Sequence, residues 1–536
     1  MGKNSLQNIV LFIIILLIIS CAKRGRPTGG PKDVDAPIII KSTPENLSTN
    51  FKDKEITIYF DEYVKVKNLQ KQLIISPPMD PQPTVAPMGT ASKYITITIN
   101  DTLDDNTTYA FNFGQSIVDN NEENPYEYYR YVFSTGAFID SLSVQGQILD
   151  AEDRSPETFV SVMLYEKDST YTDSIVYKQK PKYITNTLDS LSTFSIDNIK
   201  PGDYKLIALK EDNGNFTFQQ DRDKIGFKEG FITVPTEEKF TLKLFKEVTN
   251  FDVNRPRQVA GQKIAFGFKG DYKTMEIEML GGMPAGFKSR ITKDPSTDTL
   301  YYWYSPKIEL DSTQFVVTNK TFTDTLKHRF RTIDKDTLTI KTLSSGTLRF
   351  DEDFEVTGTV PFVDLNKKKI KIIDKDSLDV PFETTFDTLN NSYRFQFQKQ
   401  ESQKYAIEML PGALEDFFGN VNDTLIYKAR TKTFADYSDL RVNLSNVTYP
   451  LIVQLTDQRG EVKYEQYTED QPVFDFKYIA PSSYYLRVVF DTNGNGKWDS
   501  GNFLKGIQPE RISYYPELIE DTRANWSPVI DFTLLD

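Results

Sequence analysis

The sequence predicts an all-β protein in which several β-sandwiches follow one another behind an apolar amino-terminal segment. β-Branched and aromatic residues recur at every second position in segments such as Ile56–Phe60, Tyr94–Ile99 and Tyr131–Thr135, and Asn, Asp, Gly and Pro separate these segments. No long stretch has the 3.6-residue apolar periodicity and the caps of a helix. At about 150 residues per domain, 536 residues are enough for several domains.

The composition excludes several classes of protein. The chain has 63 Lys and Arg against 76 Asp and Glu, and its formal charge of −13 argues against a general affinity for nucleic acid or anionic lipid. A single Cys and a single His exclude internal disulfides, Cys–His dyads and zinc sites made of several such residues. The histidine, His328, stands in an alternating stretch and is predicted to lie on the exposed face of a strand.

The amino terminus has the pattern of a secretory signal peptide. Lys3 precedes an unbroken run of eleven apolar residues, Ile9–Ile19, which is too short to span a bilayer. The run ends at Ser20–Cys21, and this ending resembles the lipobox of bacterial lipoproteins. The resemblance implies that residues 1–20 are removed and that Cys21 is acylated on sulfur as the first residue of the mature protein. An uncleaved anchor helix with a chance cysteine is the alternative.

Residues 21–35 are predicted to form a flexible tether. Lys23, Arg24 and Arg26 stand among glycines and prolines without apolar periodicity, so their positive charges are expected beside the lipid head groups. In lipoproteins of this type, an Asp directly after the cysteine favours the inner membrane. Because Ala22 takes that position, the resemblance implies the outer membrane, with the periplasmic and cell-surface leaflets both open.

The first folded module, residues 36–138, resembles the S-layer-type bacterial Ig-like domain. The segments that carry the resemblance are Ala36–Pro37, Ser42–Asn46, Ile56–Val64, Leu103–Tyr109, Ile117–Asn121 and Tyr131–Gly136. The resemblance implies a β-sandwich of a kind found in surface and periplasmic proteins, where it serves as a spacer or a binding scaffold. It therefore says more about fold than about function.

A second module, residues 139–247, resembles the transthyretin-like or carboxypeptidase-regulatory-like sandwich, a mostly non-catalytic family. The resemblance rests on Val160–Tyr165, Phe194–Ile199 and the turn Pro201–Tyr204. Residues of this module recur 280 positions later, which predicts a second copy over 437–536. The recurring pairs are Ile199 and Ile479, Pro201 and Pro481, Tyr204 and Tyr484, Leu206 and Leu486, Asn213 and Asn493, Gly214 and Gly494, and Asn215 and Asn495, with Glu211 matching Asp491.

Two further sandwiches are predicted between these copies. An Ig-like module over 346–436 is indicated by Leu348–Glu352. This segment resembles Tyr59–Glu62, in which a predicted strand is followed by two acids. Asp416–Asn420 likewise resembles Val118–Asn120, a turn near the end of the first module. Residues 248–345 then remain for one more sandwich. The predicted chain is a string of five β modules on a lipid tether.

One loop of the fifth module has the spacing of a calcium site. Oxygen-bearing side chains stand at positions 1, 3, 5 and 9 of a nine-residue segment, and Gly496 stands at position 6. The four predicted ligands of a structural calcium ion are Asp491, Asn493, Asn495 and Asp499. Asn502 replaces the bidentate Glu of an EF-hand at position 12, and a tight Asn-Gly hairpin turn is the alternative. The matching loop Glu211–Asn215 is followed by Gln219 where Asp499 would stand, which makes calcium less favourable there.

Other side chains are candidates for chemistry. Asp61–Glu62, and Asp119 with Glu122–Glu123, carry carboxylates that a glycoside hydrolase could use in pairs, although acids at strand ends are by default exposed charges. Trp303 within Tyr301–Tyr304 is a candidate stacking platform for a sugar or a partner. The other interpretation of this aromatic run is a strand that is half core and half edge.

These features predict a non-enzymatic, lipid-anchored protein of the outer membrane that serves as a multi-domain scaffold or binding module. The expected partners are the membrane, through the lipid, and an envelope protein or a polysaccharide, but not nucleic acid. An accessory subunit of an outer-membrane assembly or transport complex is one alternative. A carboxylate-based hydrolase is the second. Apart from the structural calcium ion, no cofactor is expected.

Overall fold

The computed structural model describes residues 32–188, 191–520 and 522–534. Strands make up almost all of its regular structure, which confirms the all-β prediction. The chain divides after Ser141 into two compact units. Residues 1–31, which include the predicted signal peptide, Cys21 and most of the predicted tether, lie outside the described residues. Within the described part, no helix combines the length and the apolar composition that a membrane crossing requires.

The first unit contains a sandwich of two sheets. Its strands are β1 (Ile39–Thr43), β2 (Glu55–Val66), β3 (Ile74–Ser76), β4 (Thr84–Ala86), β5 (Ser92–Thr98), β6 (Thr108–Asn112), β7 (Ile117–Asp119) and β8 (Arg130–Ser134), with one short helix, α1 (Leu69–Gln72). One sheet has the order β1-β2-β5-β4, with β7 also paired to β2, and the other has the order β3-β6-β8. Ile56 and Ile58 alternate into the core, where Phe111 and Phe133 from the second sheet cover them.

The second unit begins with the second module. Its strands are β9 (Leu142–Asp150), β10 (Ser161–Glu166), β11 (Tyr183–Asn186), β12 (Thr193–Ile199), β13 (Gly202–Lys210), β14 (Lys224–Phe227), β15 (Ile232–Val234) and β16 (Lys239–Leu244). One sheet has the order β11-β10-β13-β14, with β15 also paired to β13. The other has the order β12-β9-β16, in which β16 runs parallel to β9. Val162, Leu206 and Phe240 meet in the core.

The third module is also a sandwich of two sheets. Its strands are β17 (Asp252–Val253), β18 (Arg257–Ala260), β19 (Lys263–Lys269), β20 (Glu276–Leu280), β21 (Lys288–Lys293), β22 (Thr299–Ser305), β23 (Ser312–Asn319) and β24 (Phe322–Arg329). The sheets have the orders β17-β19-β22-β21, with β18 also paired to β19, and β20-β23-β24. Phe266, Tyr302 and Phe315 lie between them.

His328 in β24 is buried, so the prediction that it lies on an exposed face is wrong. Leu326 and His328 are two residues apart and therefore share the face that is turned into the core. The imidazole lies 6.1 Å from the ring of Phe315 and 5.1 Å from that of Phe330, centroid to centroid. Its Nδ1 is 3.4 Å from the carbonyl oxygen of Pro256, and its Nε2 has no hydrogen-bond partner among the described residues.

Acid is expected to destabilise the third module through His328. Burial lowers the pKa of the imidazole below its ordinary 6.5, the contact with Pro256 opposes this in part, and the charge of Arg331 adds to it. The unfolded chain therefore binds a proton more readily, and stability present above about pH 6.5 is lost as the pH falls below that value. In urea denaturation at pH 7.5 and pH 5.5, we expect His328→Leu to lose less stability on acidification than the unsubstituted protein. Equal losses would show that His328 is not responsible.

The fourth module has three sheets. Its strands are β25 (Ile340–Thr342), β26 (Phe354–Gly358), β27 (Phe362–Leu365), β28 (Ile370–Ile373), β29 (Phe382–Asp387), β30 (Ser392–Phe397), β31 (Lys404–Met409), β32 (Leu414–Asp416) and β33 (Leu425–Arg430). The orders are β25-β26-β30-β29, β28-β31-β33 and the pair β27-β32. Phe354, Phe395 and Ile407 lie in its core.

Two sequence expectations for the fourth module differ from the structure. β25 pairs with β26, so the sheet of this module begins before residue 346. Leu348–Glu352 does not repeat the strand of Tyr59–Glu62, because it contains a turn and precedes β26. The turn is favoured by ion pairs in which Asp351 and Glu352 bind the guanidinium of Arg349, at 3.0 and 3.2 Å.

The fifth module repeats the topology of the second, except that β15 has no counterpart among the described strands. Its strands are β34 (Ser438–Ser445), β35 (Leu451–Thr456), β36 (Val462–Thr468), β37 (Val473–Ile479), β38 (Tyr485–Phe490), β39 (Ile512–Tyr514) and β40 (Val529–Thr533). The sheets have the orders β36-β35-β38-β39 and β37-β34-β40, and β40 runs parallel to β34. The hydroxyl of Tyr204 donates to the carbonyl of Lys200 at 3.0 Å, and that of Tyr484 donates to Ala480 at 2.7 Å, so the sequence repeat is matched by a repeated contact.

Candidate functional site

The loop predicted to bind calcium begins at Asp491 and connects β38 to β39. The side chain of Asp491 is fully buried, and its oxygens accept backbone N–H groups from Asn495 at 3.1 Å and from Gly496 at 2.7 Å. Gly494 and Gly496 have φ angles of 70° and 74°, which only glycine adopts without strain in such a bend. Asp491 therefore fixes the bend through the backbone of its own loop.

The other three predicted ligands contact one another. The side-chain amides of Asn493 and Asn495 both donate to Oδ2 of Asp499, and the ammonium of Lys497 is 3.0 Å from Oδ1. Burial alone would raise the pKa of Asp499, but these donors outweigh it, and the pKa lies below its usual range. The structure thus gathers the predicted residues in one loop, with amide N–H groups rather than amide oxygens turned toward Asp499.

Glu510 closes this loop and is missed by the spacing argument. Its Oε1 accepts the backbone N–H of Thr492 at 2.7 Å, and its Oε2 accepts that of Asp499 at 3.0 Å. Its carbonyl accepts the indole N–H of Trp498 at 2.9 Å. Glu510 follows Asp499 by 11 positions, so no local pattern points to it. The contact forms because β39 returns beside β38.

The equivalent loop of the second module is built in the same way. Glu211 accepts backbone N–H groups from Asn215 at 3.2 Å and from Phe216 at 2.8 Å. These donors are four and five residues beyond the acid, as they are for Asp491. Burial raises the pKa of Glu211 in spite of the two hydrogen bonds. The acid at this position of both copies therefore shapes a turn.

Past Asp499, the loop of the fifth module contacts the second module. Phe503 packs edge-on against Phe227 at a centroid distance of 5.2 Å. The backbone N–H of Phe503 donates to the buried carboxylate of Glu247, and the amide of Gln508 donates to the carbonyl of Phe227 at 3.0 Å. The two copies of the repeat are thus joined by the loop that carries the predicted calcium ligands.

Arg487 makes a second connection between the two copies. Its guanidinium is buried, with Nε donating to Oε1 of Gln454 at 2.6 Å and Nη1 donating to the carbonyl of Glu152 at 3.1 Å. The hydroxyl of Tyr514 donates to the same carbonyl. Separation of the modules would leave these buried polar groups without partners, which is costly. The second and fifth modules therefore stabilise each other.

Asp150, Asp153 and Glu157 form an acidic cluster that the sequence analysis misses. The ammonium of Lys224 lies among them, at 2.8, 3.2 and 2.9 Å. Burial alone would lower the pKa of Lys224, but the carboxylates of Asp150 and Glu157 outweigh it and raise the pKa. The cluster is a network of ion pairs around a lysine.

Asp119 is buried. The expectation that an acid at a strand end is exposed is therefore wrong for this residue. Its oxygens accept four backbone N–H groups from residues 121–124, at 2.7 to 3.2 Å. Burial alone would raise the pKa of Asp119, but the four hydrogen bonds lower it. Asp416 similarly accepts two backbone N–H groups of its own turn, each at 2.8 Å. A carboxylate bound in this way is poorly placed to work with Asp61–Glu62 as a general acid or base.

Trp303 is only 2% exposed, so an exposed stacking platform is excluded at this position. Its ring packs with Val360 and Phe417 of the fourth module. The ammonium of Lys263 lies 4.6 Å from the ring centroid, and the indole N–H donates to the hydroxyl of Thr292 at 2.9 Å. The aromatic run joins the third and fourth modules.

Comparison with known proteins identifies the family of one module. Residues 33–135 match the Big_5 family, described as a bacterial Ig-like domain. The match coincides with the first predicted sandwich. No curated protein matches the chain.

Several solved structures match the chain at low similarity. Domains 1–6 of the surface layer protein SbsC are 12% identical, with a TM-score of 0.16 over 90% of this chain and 67% of that one. The major pilin subunit BcpA of Bacillus cereus is 11% identical, with a TM-score of 0.14 over 74% of this chain and 99% of that one. The TIE protein of Bacillus anthracis is 9% identical, with a TM-score of 0.15 over 95% and 75%. Similarity at this level carries no argument about fold or function.

Proposed function

We propose that this protein is a lipid-anchored, non-enzymatic component of the bacterial outer membrane that acts as a multi-domain scaffold or binding arm. The observation that carries the proposal is the order of the chain. A predicted signal peptide, followed by Cys21 and a predicted basic tether, precedes a bacterial Ig-like module and further β-sandwiches. This order suits a protein that holds binding surfaces away from a membrane.

The contacts within the second unit support a scaffold. The second and fifth modules, which we propose to be transthyretin-like sandwiches, are joined through Phe503, Glu247 and Arg487. The third and fourth modules are joined around Trp303. Buried contacts between modules limit their relative motion, because their separation would expose apolar and polar groups together. The hydrolase alternative lacks comparable support, since Asp119 is bound by its own turn.

Cross-linked affinity purification of the lipidated full-length protein from its own envelope, followed by mass spectrometry, tests this proposal. Recovery of the protein without a stoichiometric protein partner, or with polysaccharide, is the result we expect for a free-standing binding arm. A reproducible, stoichiometric outer-membrane protein would favour the alternative of an accessory subunit. Cys21→Ser, purified in the same way, is the control for capture by membrane fragments.

We also propose a structural calcium ion at Asp491, Asn493, Asn495 and Asp499. Two buried or half-buried carboxylates and two amides lie in this loop, and such oxygen donors suit Ca²⁺. Binding would require both amides to rotate so that their oxygens, now accepting backbone N–H groups, face the ion. The buried carboxylate of Glu510 adds a further oxygen donor beside Thr492 and Asp499.

Calcium is expected to raise the melting temperature of the mature chain by about 3 °C or more at millimolar concentration, because an ion that binds only the folded state stabilises it. The measurement compares chelator-treated protein with and without added calcium. Asp499→Asn should abolish the increase. Asp212→Asn, which removes the same charge from the equivalent loop of the second module, should retain it. An unchanged melting temperature in the unsubstituted protein would favour the simple hairpin turn.

A further inference from the structure

One sheet of the fourth module presents an unusual array of cations to solvent. In the sheet β28-β31-β33, the residues that point away from the core include Lys404, Lys428 and Arg430, all exposed. We name these three residues the cationic face. Lys404 stands directly opposite Arg430, and Lys428 stands opposite Ala406, the next outward residue of β31.

The register brings like charges together. Directly opposite residues on one face of an antiparallel pair have Cβ atoms about 5 Å apart, and diagonal neighbours about 7 to 8 Å, so like charges there oppose folding. Lys404 and Arg430 are such a direct pair, and Lys404 and Lys428 are a diagonal one. Local sequence choices that weaken a fold without a structural gain are expected at functional positions.

Two other cross-strand pairs of the second unit combine opposite charges, and where Lys210 stands opposite Lys224, carboxylates bind Lys224. Arg441 stands opposite Asp475, and the two side chains form a paired contact at 2.7 and 2.9 Å. Arg394 stands opposite Glu355, with the charged groups 3.4 Å apart. Across the described residues, no carboxylate forms an ion pair with any member of the cationic face. The guanidinium of Arg430 donates to the hydroxyl of Thr347, at 3.1 Å.

We propose that the cationic face binds an acidic polysaccharide, an inference that rests on the proposed function as an envelope binding arm. The complementary charge of such a polymer would relieve the repulsion among the three cations. An extended, repeatedly charged chain suits cationic side chains whose Cβ atoms are about 5 to 8 Å apart on an open sheet. The chain as a whole has a net charge of −13, so attraction of a polyanion depends on this local array.

The neighbouring outward side chains favour a polysaccharide over other occupants. They are Lys371, Ile373, Ala406, Glu408 and Ile426. None of them is aromatic, whereas surfaces that bind single-stranded nucleic acid use aromatic rings to stack bases. Only Ile426 and Ile373 are large and apolar, which is too little for the apolar centre of a stable protein interface.

Binding of the mature chain carrying Cys21→Ser to sodium polygalacturonate tests the proposal in solution. We expect the triple variant K404Q/K428Q/R430Q to bind at least about tenfold more weakly at low salt, with a shallower salt dependence, because fewer counterions are released. The control K52Q/K239Q/K477Q removes the same charge from exposed lysines elsewhere and should bind within about twofold of the parent. Circular dichroism and melting temperature verify that both variants are folded.

Equal binding by the K404Q/K428Q/R430Q variant and the parent would overturn the proposal. Equal affinity for neutral dextran, for duplex DNA or for phosphatidylglycerol vesicles would also overturn it, because the face would then not select an acidic polysaccharide. The assay uses soluble protein, so its outcome is independent of the lipid anchor. Failure of the anchor is detected separately by membrane fractionation.

Discussion

An alanine at Gly146 is expected to lower the stability of the second module by about 3 kcal/mol or more. Gly146 lies in β9 between β12 and β16, where a Cβ atom would stand 2.0 Å from the carbonyl oxygen of Phe240 and 2.7 Å from the ring of Phe194. The ring can move, but the carbonyl belongs to the parallel pairing of β16 with β9. Thermal unfolding followed by circular dichroism should show its first transition lowered by about 10 °C or more.

Gly346→Ala is the matched control for this substitution. No heavy atom lies within 4 Å of a Cβ atom built at Gly346, so the change should alter stability by less than about 0.5 kcal/mol. An unchanged transition for Gly146→Ala would contradict the close approach of β16 to β9. Equal destabilisation by both variants would point to a general loss of glycine flexibility as the cause.

Cys21→Ser is expected to transfer nearly all of the protein from the membrane fraction to the soluble fraction. Each buried methylene of an acyl chain contributes about 0.8 kcal/mol, so several chains make desorption negligible, whereas the serine variant has none. Fractionation of cells followed by immunodetection is the measurement.

Ser20→Ala is the control for the anchor, because it keeps a small residue before Cys21 and should leave the protein in the membrane fraction. Retention of Cys21→Ser in the membrane at the level of the unsubstituted protein would contradict lipidation. A salt wash separates an acyl anchor from attachment through the basic residues of the tether, because salt screens the charges and leaves the acyl chains in place.

The fold class follows from local patterns that the sequence displays directly. In β2, Ile56 and Ile58 are separated by one residue, and a strand places such residues on one face, which the structure buries. The repeat of Tyr204 at Tyr484 predicts two equal modules, and the two share a sheet topology and a tyrosine contact. These features depend on residues close in sequence or on a constant spacing.

A strand that is covered on both faces differs in sequence from one that is covered on one face. Its apolar residues are nearly continuous and do not alternate with polar ones. Val160–Tyr165 is nearly continuous in apolar residues, as is Leu451–Leu455, and such runs are typical of strands covered on both sides. The structure buries both β10 and β35 almost completely. The prediction of a string of five β modules does not include this packing.

The candidate site could be predicted only in part. Asp491–Asp499 is a local pattern, and the structure gathers its side chains in one loop. Glu510 could not be found in this way, because its contact depends on the return of β39. The opposition of Lys404 and Arg430 likewise depends on the register that the intervening loop and β32 impose. Long-range pairing, rather than residue type, decides these contacts.

Asp119 and His328 are buried although the sequence predicts them to be exposed, and each contacts polar groups of the backbone. An aspartate such as Asp119 is expected to be exposed, because its carboxylate is normally hydrated. Here four backbone N–H groups donate to the carboxylate in place of water, which permits its burial. For His328, the two-residue spacing from Leu326 indicates the buried face, but the polarity of imidazole favours the opposite interpretation. A buried polar side chain is predictable only when its hydrogen-bond partners are known.

Mass spectrometry of the amino-terminal peptide, from protein extracted out of the native membrane, tests the lipid-anchored state most directly. We predict a peptide that begins at Cys21 and carries the added mass of acyl chains on that residue. A peptide that retains residues 1–20, or that begins at an unmodified Cys21, would contradict the anchor and with it the proposal of a tethered outer-membrane scaffold.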